Sequence, residues 1–233
     1  MTSATNAADG LVTYTRDGAV GTITMDDGKV NVFSLAMLGA LHQAFDRAEE
    51  DGGVVVLAGR PGCFSAGFDL VTLRQHPEDV VKLLRLGATL AERILSFPAP
   101  VVAACPGHAF PAGAFLLMAA DTRIGVDGPY RLGLNEVRIG LTLPWFAVVL
   151  ARHRLTAPAF DRCAVTGSML TPHEATTAGL LDAVVAADEL TGAAGAAADD
   201  LSAVDPAAYA ATKLRVRRRV LTELREAIET ELR

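Results

Sequence analysis

The stretch from Ala99 to Ala120 carries no Asp, Glu, Lys or Arg. A charge-free run of that length can cross a bilayer as one helix. It also contains Pro100, Pro106 and Pro111, with Gly107, Gly113 and His108 between and after them. Proline removes a backbone donor and clashes with the preceding turn, so three of them forbid a single helix. The segment therefore reads as a buried strand over Pro100–Cys105, a tight turn, and a short apolar helix over Ala114–Ala120.

The same alternation runs along the chain. Leu11–Tyr14 and Val20–Met25 read as a hairpin around Arg16-Asp17-Gly18. A helix is expected over Ser34–Glu50, with Ser34 as N-cap and Leu38, Leu41, His42, Phe45 and Ala48 on one face. Asp51-Gly52-Gly53 stops it, and Val54–Ala58 reads as a buried strand. After a glycine-bearing loop over Gly59–Gly67, helical signal resumes near Asp69 and again from about Glu78 to Phe97. Further on come a strand over Thr122–Val126, then strand, loop and strand over Tyr130–Leu143. Helices follow over Trp145–Arg154 and Ala157–Thr166. Thr171-Pro172-His173-Glu174 has the spacing of a helix start: cap, proline at the first position, glutamate at the third. Leu180–Val185 is strand-like, and the tail from about Asp188 is helix-rich. Within it, Gly192–Asp200 reads as helix or hinge. Alternating strands and helices argue an α/β fold, and no repeat period is visible.

Composition narrows the partners. Of 233 residues, 51% are hydrophobic, enough for a buried core. A net charge of −6 disfavours nucleic acid and membrane surfaces as partners. Three cysteines, Cys63, Cys105 and Cys163, lie far apart and in odd number. They fit small buried hydrophobes in a reducing cytosol better than disulfides or a zinc ribbon. The opening MTSATNAADG lacks the basic and apolar regions of a secretory signal and reads as a frayed terminus. A cytoplasmic location is expected.

Familiar catalytic patterns are missing. No GxGxxG follows a strand, and neither GxxxxGK[ST] nor HExxH occurs; no metal site is expected. Gly62 stands three residues before Ser65, so the loop is not a GxSxG nucleophile elbow. What remains are two glycine-bearing turns after buried strands: Phe64-Ser65-Ala66-Gly67-Phe68-Asp69-Leu70 and Pro106-Gly107-His108-Ala109-Phe110-Pro111-Ala112-Gly113. Each leads into a helix whose first N–H groups are free, and two converging N–H groups would form an oxyanion hole. Asp69 is placed to cap the helix after it.

Five segments, in order, resemble the crotonase (enoyl-CoA hydratase/isomerase) superfamily: MDDGKVNVFS, VVVLAGRPGCFSAGFDL, FPAPVVAACPGHAFPAGAFLLMAADTRI, LNEVRIGLTLP and TPHEATTAGLLDAVV. The resemblance covers about residues 11–186, and the helical tail fits it. It implies a spiral of ββα units over 1–186, a C-terminal helical trimerisation region over 187–233, and assembly as a homotrimer or hexamer. It also implies an acyl-CoA thioester as substrate, with no separate cofactor because the substrate carries the coenzyme A. Carried over by position, the oxyanion-hole donors would be the N–H groups of Phe68 and Ala112. Ala66 and Leu70 would lie by the CoA adenine and Val30 near the CoA moiety.

The family's hydratases use two glutamates. Glu136 matches one, and Phe115 stands where the other is expected. Phenylalanine can neither accept nor donate a proton, so half of that machinery is missing. A single base beside an oxyanion hole can still move a proton from C2 of a 3-enoyl-CoA to C4. The expectation is therefore Δ3-Δ2 enoyl-CoA isomerisation with Glu136 as sole acid/base. Slow 2-enoyl-CoA hydration and a non-catalytic acyl-CoA binder are the alternatives. Without the family, Glu136 reads as a solvated loop carboxylate, and Phe115 as a core or acyl-pocket residue. His108 is expected to be buried and hydrogen-bonded, and Trp145 to pack. The run Lys213–Arg219 holds five cations in seven residues. It reads as a solvated helix face, from which Lys213 or Arg215 could reach CoA phosphates.

Overall fold

The computed structural model describes residues 4–6 and 10–233. The expected hairpin is present. Strand β2 (Val12–Asp17) pairs antiparallel with β3 (Val20–Met25), and β1 (Ala4–Asn6) adds to its outer edge opposite Thr13–Thr15. The terminus is thus paired at residues 4–6 rather than frayed there; residues 1–3 and 7–9 lie outside the described set. After β4 (Val32–Phe33) comes α1 (Leu35–Asp51), whose cap Ser34 accepts the Met37 N–H. Then follow β5 (Val54–Ala58), β6 (Gly62–Ser65), β7 (Gly67–Phe68), α2 (Leu70–Gln75) and α3 (Pro77–Ser96). Next are β8 (Val101–Cys105), β9 (Gly107–Ala109), α4 (Ala112–Ala119), β10 (Thr122–Val126) and β11 (Leu132–Gly133). A 3₁₀ turn (Val137–Ile139) and α5 (Trp145–Arg154) come after them. The chain closes with α6 (Ala157–Thr166), β12 (Met169–Leu170), α7 (Pro172–Ala178), β13 (Ala183–Val185), α8 (Leu190–Ser202) and α9 (Pro206–Glu231).

The large sheet has the order β1-β2-β3-β5-β8-β10-β13, parallel from β3 onward. A smaller sheet, β12-β11-β9-β6, forms a second layer, and β4 pairs with β7. From β5, β8 and β10 the chain steps to a short strand of the second layer and then to helix, so ββα units follow one another as a spiral. The repeat is one of geometry and leaves no period in the sequence. No helix among the described residues is long and apolar enough to cross a membrane. The charge-free stretch is divided as expected into β8, a turn and α4, all buried.

Alternation explains why the central strands are apolar on both faces. Val55, Leu57, Val101, Ala103 and Cys105 point into the main core. Val54, Val56, Val102 and Ala104 point the other way, against Leu190, Ala194 and Ala198 of α8. The small-residue stretch Gly192–Asp200 is therefore helix, and its alanines let α8 lie close on the sheet. Helix α9 packs against α3 and α5 of its own chain.

Two expectations in this region fail. No second strand forms within Tyr130–Leu143; the chain turns through the 3₁₀ segment and leaves it at Gly140 in the left-handed region (φ 78°). The basic run is solvated at Arg215, Arg218 and Arg219 but not throughout. Lys213 and Arg217, one turn apart, are buried, and their side chains each lie 2.8 Å from an Asp121 carboxylate oxygen. Lys213 is therefore committed to the interior and cannot serve CoA phosphates, while Arg215 is exposed.

Candidate active site

The first glycine-bearing turn is held by buried side chains. Asn31, at φ 52°, donates from Nδ2 to the carbonyls of Met25 (3.0 Å) and Phe64 (3.1 Å). Ser65 Oγ donates to the Asn31 carbonyl (2.6 Å) and accepts the Gly67 N–H (3.0 Å). The hydroxyl is thus occupied in shaping the turn. Asp69 caps α2 as expected, accepting the Val71 N–H and the Thr72 hydroxyl. The Asp69 N–H reaches the Phe33 carbonyl at 3.2 Å, tying this turn to β4.

Two glycines lock this turn to the second one. Gly67 has φ 91°, and a Cβ on it would lie 2.5 Å from Pro111 Cδ and 2.8 Å from the Phe110 carbonyl oxygen. A Cβ on Gly113 would lie 2.6 Å from the Ser65 carbonyl oxygen. The Phe110 N–H donates to that same oxygen at 3.0 Å. Only glycine permits so close an approach. It sets Phe68 next to the start of α4, where Ala112 is the first helical residue and has no carbonyl one turn back to receive its N–H.

Beside the turns is a cavity of about 280 Å³. Phe68, Phe110, Pro111, Phe115 and Leu84 form much of its wall, and Ala66 and Leu70 join them. Gly87 of α3 leaves room for the Phe68 ring, which a Cβ there would approach to 2.4 Å. Phe115 meets Phe68 at 6.3 Å between centroids and Phe146 edge-on at 5.4 Å. Phe115 is thus both a core residue and part of the cavity wall.

Glu136 faces this cavity from the start of the 3₁₀ turn. Its carbonyl accepts the N–H groups of Ile139 and Leu141, which fixes its backbone. The residue is 5% exposed, and Oε2 is buried with no hydrogen-bond partner among the described residues. Burial pushes its carboxyl up to about 7, only partly opposed by its own N–H. The solvated-carboxylate reading is therefore wrong for this residue. A larger cavity of about 650 Å³ lies under α8, but it contains neither Glu136 nor the two turns.

Phe68, Glu136, Ala66 and Leu70 come together around one cavity. Ala112 adjoins it through Pro111, and Val30 lies outside on the exposed rim, its carbonyl accepting the Ala66 N–H at 2.9 Å. His108 is half-buried; its Nδ1 accepts the Arg131 N–H, and its ring sits edge-on to Phe110 and Tyr130. Trp145 does not pack: it is 63% exposed at the first position of α5. The three thiols are free and buried, and no metal-type cluster of His, Cys, Asp or Glu occurs among the described residues. Sequence reasoning missed Asn31 and Gly87. For the first, the available signal was an Asn shortly after the Asp26-Asp27-Gly28 turn, a residue type that tolerates left-handed backbone; nothing local marks the second, whose partner ring comes from another element.

Residues 15–233 match the family model described as enoyl-CoA hydratase/isomerase. The chain belongs to the enoyl-CoA hydratase/isomerase family. A solved structure of a family protein from Pseudomonas syringae superposes with TM-score 0.94 at 45% identity, covering 95% of this chain and 96% of that one. An enoyl-CoA isomerase from Mycobacterium tuberculosis gives TM-score 0.89 at 39% identity, over 94% and 96% of the two chains. The same mycobacterial protein is called a probable enoyl-CoA hydratase in a second structure, at TM-score 0.91. A probable enoyl-CoA hydratase of Bacillus subtilis is 35% identical over 71% of this chain, and the match spans 65% of that protein's length. The crotonase fold and the family thus stand, while the relatives' names divide between hydratase and isomerase.

Proposed function

We propose that this family member converts a 3-enoyl-CoA to the conjugated 2-enoyl-CoA, with Glu136 as its only acid/base. The observation that carries the reading is the makeup of the cavity. Among the described residues lining it, Glu136 is the one carboxyl, and Phe115, which the family resemblance aligns with a hydratase glutamate, lines it with a ring.

The thioester carbonyl would lie between the N–H groups of Phe68 and Ala112. Adjacent N–H groups along a strand point to opposite edges. Since that of Asp69 turns to β4, that of Phe68 is directed away from it. Alanine at the second donor position still supplies an N–H. With the carbonyl polarised, the Glu136 carboxylate removes a C2 proton, and the electron pair delocalises into the enolate held by the two donors. The double bond shifts as the same carboxyl returns the proton to C4. An oxyanion donor is worth about 3 kcal/mol of barrier, and a positioned base about 10²–10⁴ in rate. The phenyl walls offer the proton no other acceptor, so it stays on the carboxyl between the two steps. Leu70 and Val30 are exposed and Ala66 is half-buried, and the CoA portion would extend past them.

This reading needs no cofactor beyond the CoA of the substrate. It goes with a homotrimer or hexamer built through the C-terminal helices, and with a cytosolic setting that three unpaired thiols favour. Glu136→Gln keeps size and polarity and removes the base. Turnover of 3-enoyl-CoA should fall at least a hundredfold, with CoA-ester affinity kept. Equal turnover in the two proteins would remove Glu136 from the mechanism, and no turnover in either would favour a binder.

A further inference from the structure

Two buried acceptor oxygens, on adjacent residues that line the cavity, have no donor to satisfy them among the described residues. Glu136 Oε2 is one; Asn135 Oδ1 is the other, and it too is closed off from solvent and unpartnered among the described residues. An asparagine ahead of a helical turn ordinarily spends its side-chain oxygen capping that turn. Here the backbone does that work: the Asn135 carbonyl accepts the N–H groups of Arg138 (3.0 Å) and Ile139 (3.3 Å). The carboxamide oxygen is left buried and without a partner. Buried polar atoms without partners are uncommon and ask for an explanation.

Two acceptors cannot satisfy one another, but a proton placed on the carboxyl turns it into a donor. Among the described residues lining the cavity, Glu136 is the only titratable one. The nearby Arg138 is engaged elsewhere, its Nε donating to the Gly167 carbonyl at 2.7 Å. We propose, resting on the reading that Glu136 carries a proton from C2 to C4, that Asn135 is a positioning residue. Its amide oxygen accepts the hydrogen bond of the protonated Glu136 carboxyl and holds that proton in the cavity between removal and return. In the first half-reaction the C2–H bond breaks and an O–H bond forms on Glu136. In the second, that O–H breaks and C4–H forms. Asn135 exchanges no atoms and acts on the orientation of the acid.

The test is Asn135→Leu, close in shape and without the acceptor. The Glu136 carboxyl is titrated in the free protein by carbon NMR with labelled glutamate, so the readout needs no turnover. Loss of the acceptor should lower the Glu136 midpoint by about one unit, a tenfold change in the acid-to-carboxylate ratio. It should also lower kcat on 3-hexenoyl-CoA about tenfold, with KM changed less than twofold. An unchanged or raised midpoint overturns the proposal, because the amide then serves the loop or the carboxylate form. A product heavier by one water that disappears in Asn135→Leu also overturns it, since the oxygen would then be holding a water. Should the leucine variant fail to fold, Asn135→Asp keeps the shape. Two carboxyls sharing the cavity must raise the Glu136 midpoint, and a midpoint no higher overturns the proposal equally. Inactivity of the wild type on 3-enoyl-CoA would instead refute the isomerase reading and leave the titration result standing.

Discussion

Glu136 gives up hydration for reactivity, and the exchange is measurable in both stability and rate. Burial raises its carboxyl from 4.5 to about 7. Between those values the folded chain binds more protons than the unfolded one. Stability therefore falls as pH rises from 4.5 to 7 and levels off above. The total is roughly 3 kcal/mol by that linkage. Glu136→Gln, which removes the buried charge, should be a few kcal/mol more stable than wild type at pH 8 by urea denaturation, and no more stable at pH 4. The same titration governs catalysis. The base must be ionised, so kcat/KM should climb with pH through about 7 to a plateau. At this scale sequence reading alone was weakest. A glutamate in LNEVRIG has no local mark of burial; its dry walls come from Phe68, Leu84 and Phe115, far away along the chain. Only resemblance to the family singled it out.

Strands and helices were legible wherever their signals are local. Ser34, Asp69 and Thr171 cap their helices, Thr171 and Glu174 in a reciprocal capping box. The two-residue strands β4, β7 and β12 were not anticipated, because pairs of residues carry no period and form only when a neighbouring strand is present. The glycines of the two turns allow close approach of one turn to the other. Gly113→Ala must push the Ser65 carbonyl aside, moving the N–H of Phe68 relative to that of Ala112. Overpacking of this kind costs about 1–3 kcal/mol. The variant should stay folded, with a melting temperature lower by several degrees, and lose activity out of proportion to that shift. Activity that tracks only the folded fraction would show that the interlock does not aim the donors.

For the molecule as a whole, the spiral leaves one long helix to be fastened at the end, and α9 is fastened by charge as well as by Val220, Leu221, Leu224 and Ile228. Asp121, at the junction of α4 and β10, receives Lys213 and Arg217 and also accepts the Val101 N–H at 2.7 Å. Composition cannot distinguish such a clamp from a basic surface, because the difference lies in the partner and not in the run of cations. Asp121→Ala leaves two buried cations unpaired and should cost about 3–5 kcal/mol, read by urea denaturation. A cost below 1 kcal/mol would mean that the apolar stripe alone docks α9. The central claim remains chemical: one glutamate beside two backbone donors, with phenylalanine in place of a second acid. Its most direct test is to incubate the pure protein with 3-hexenoyl-CoA, separate the products by chromatography and weigh them. The account predicts 2-hexenoyl-CoA at unchanged mass, and accumulation of a species heavier by one water would contradict it.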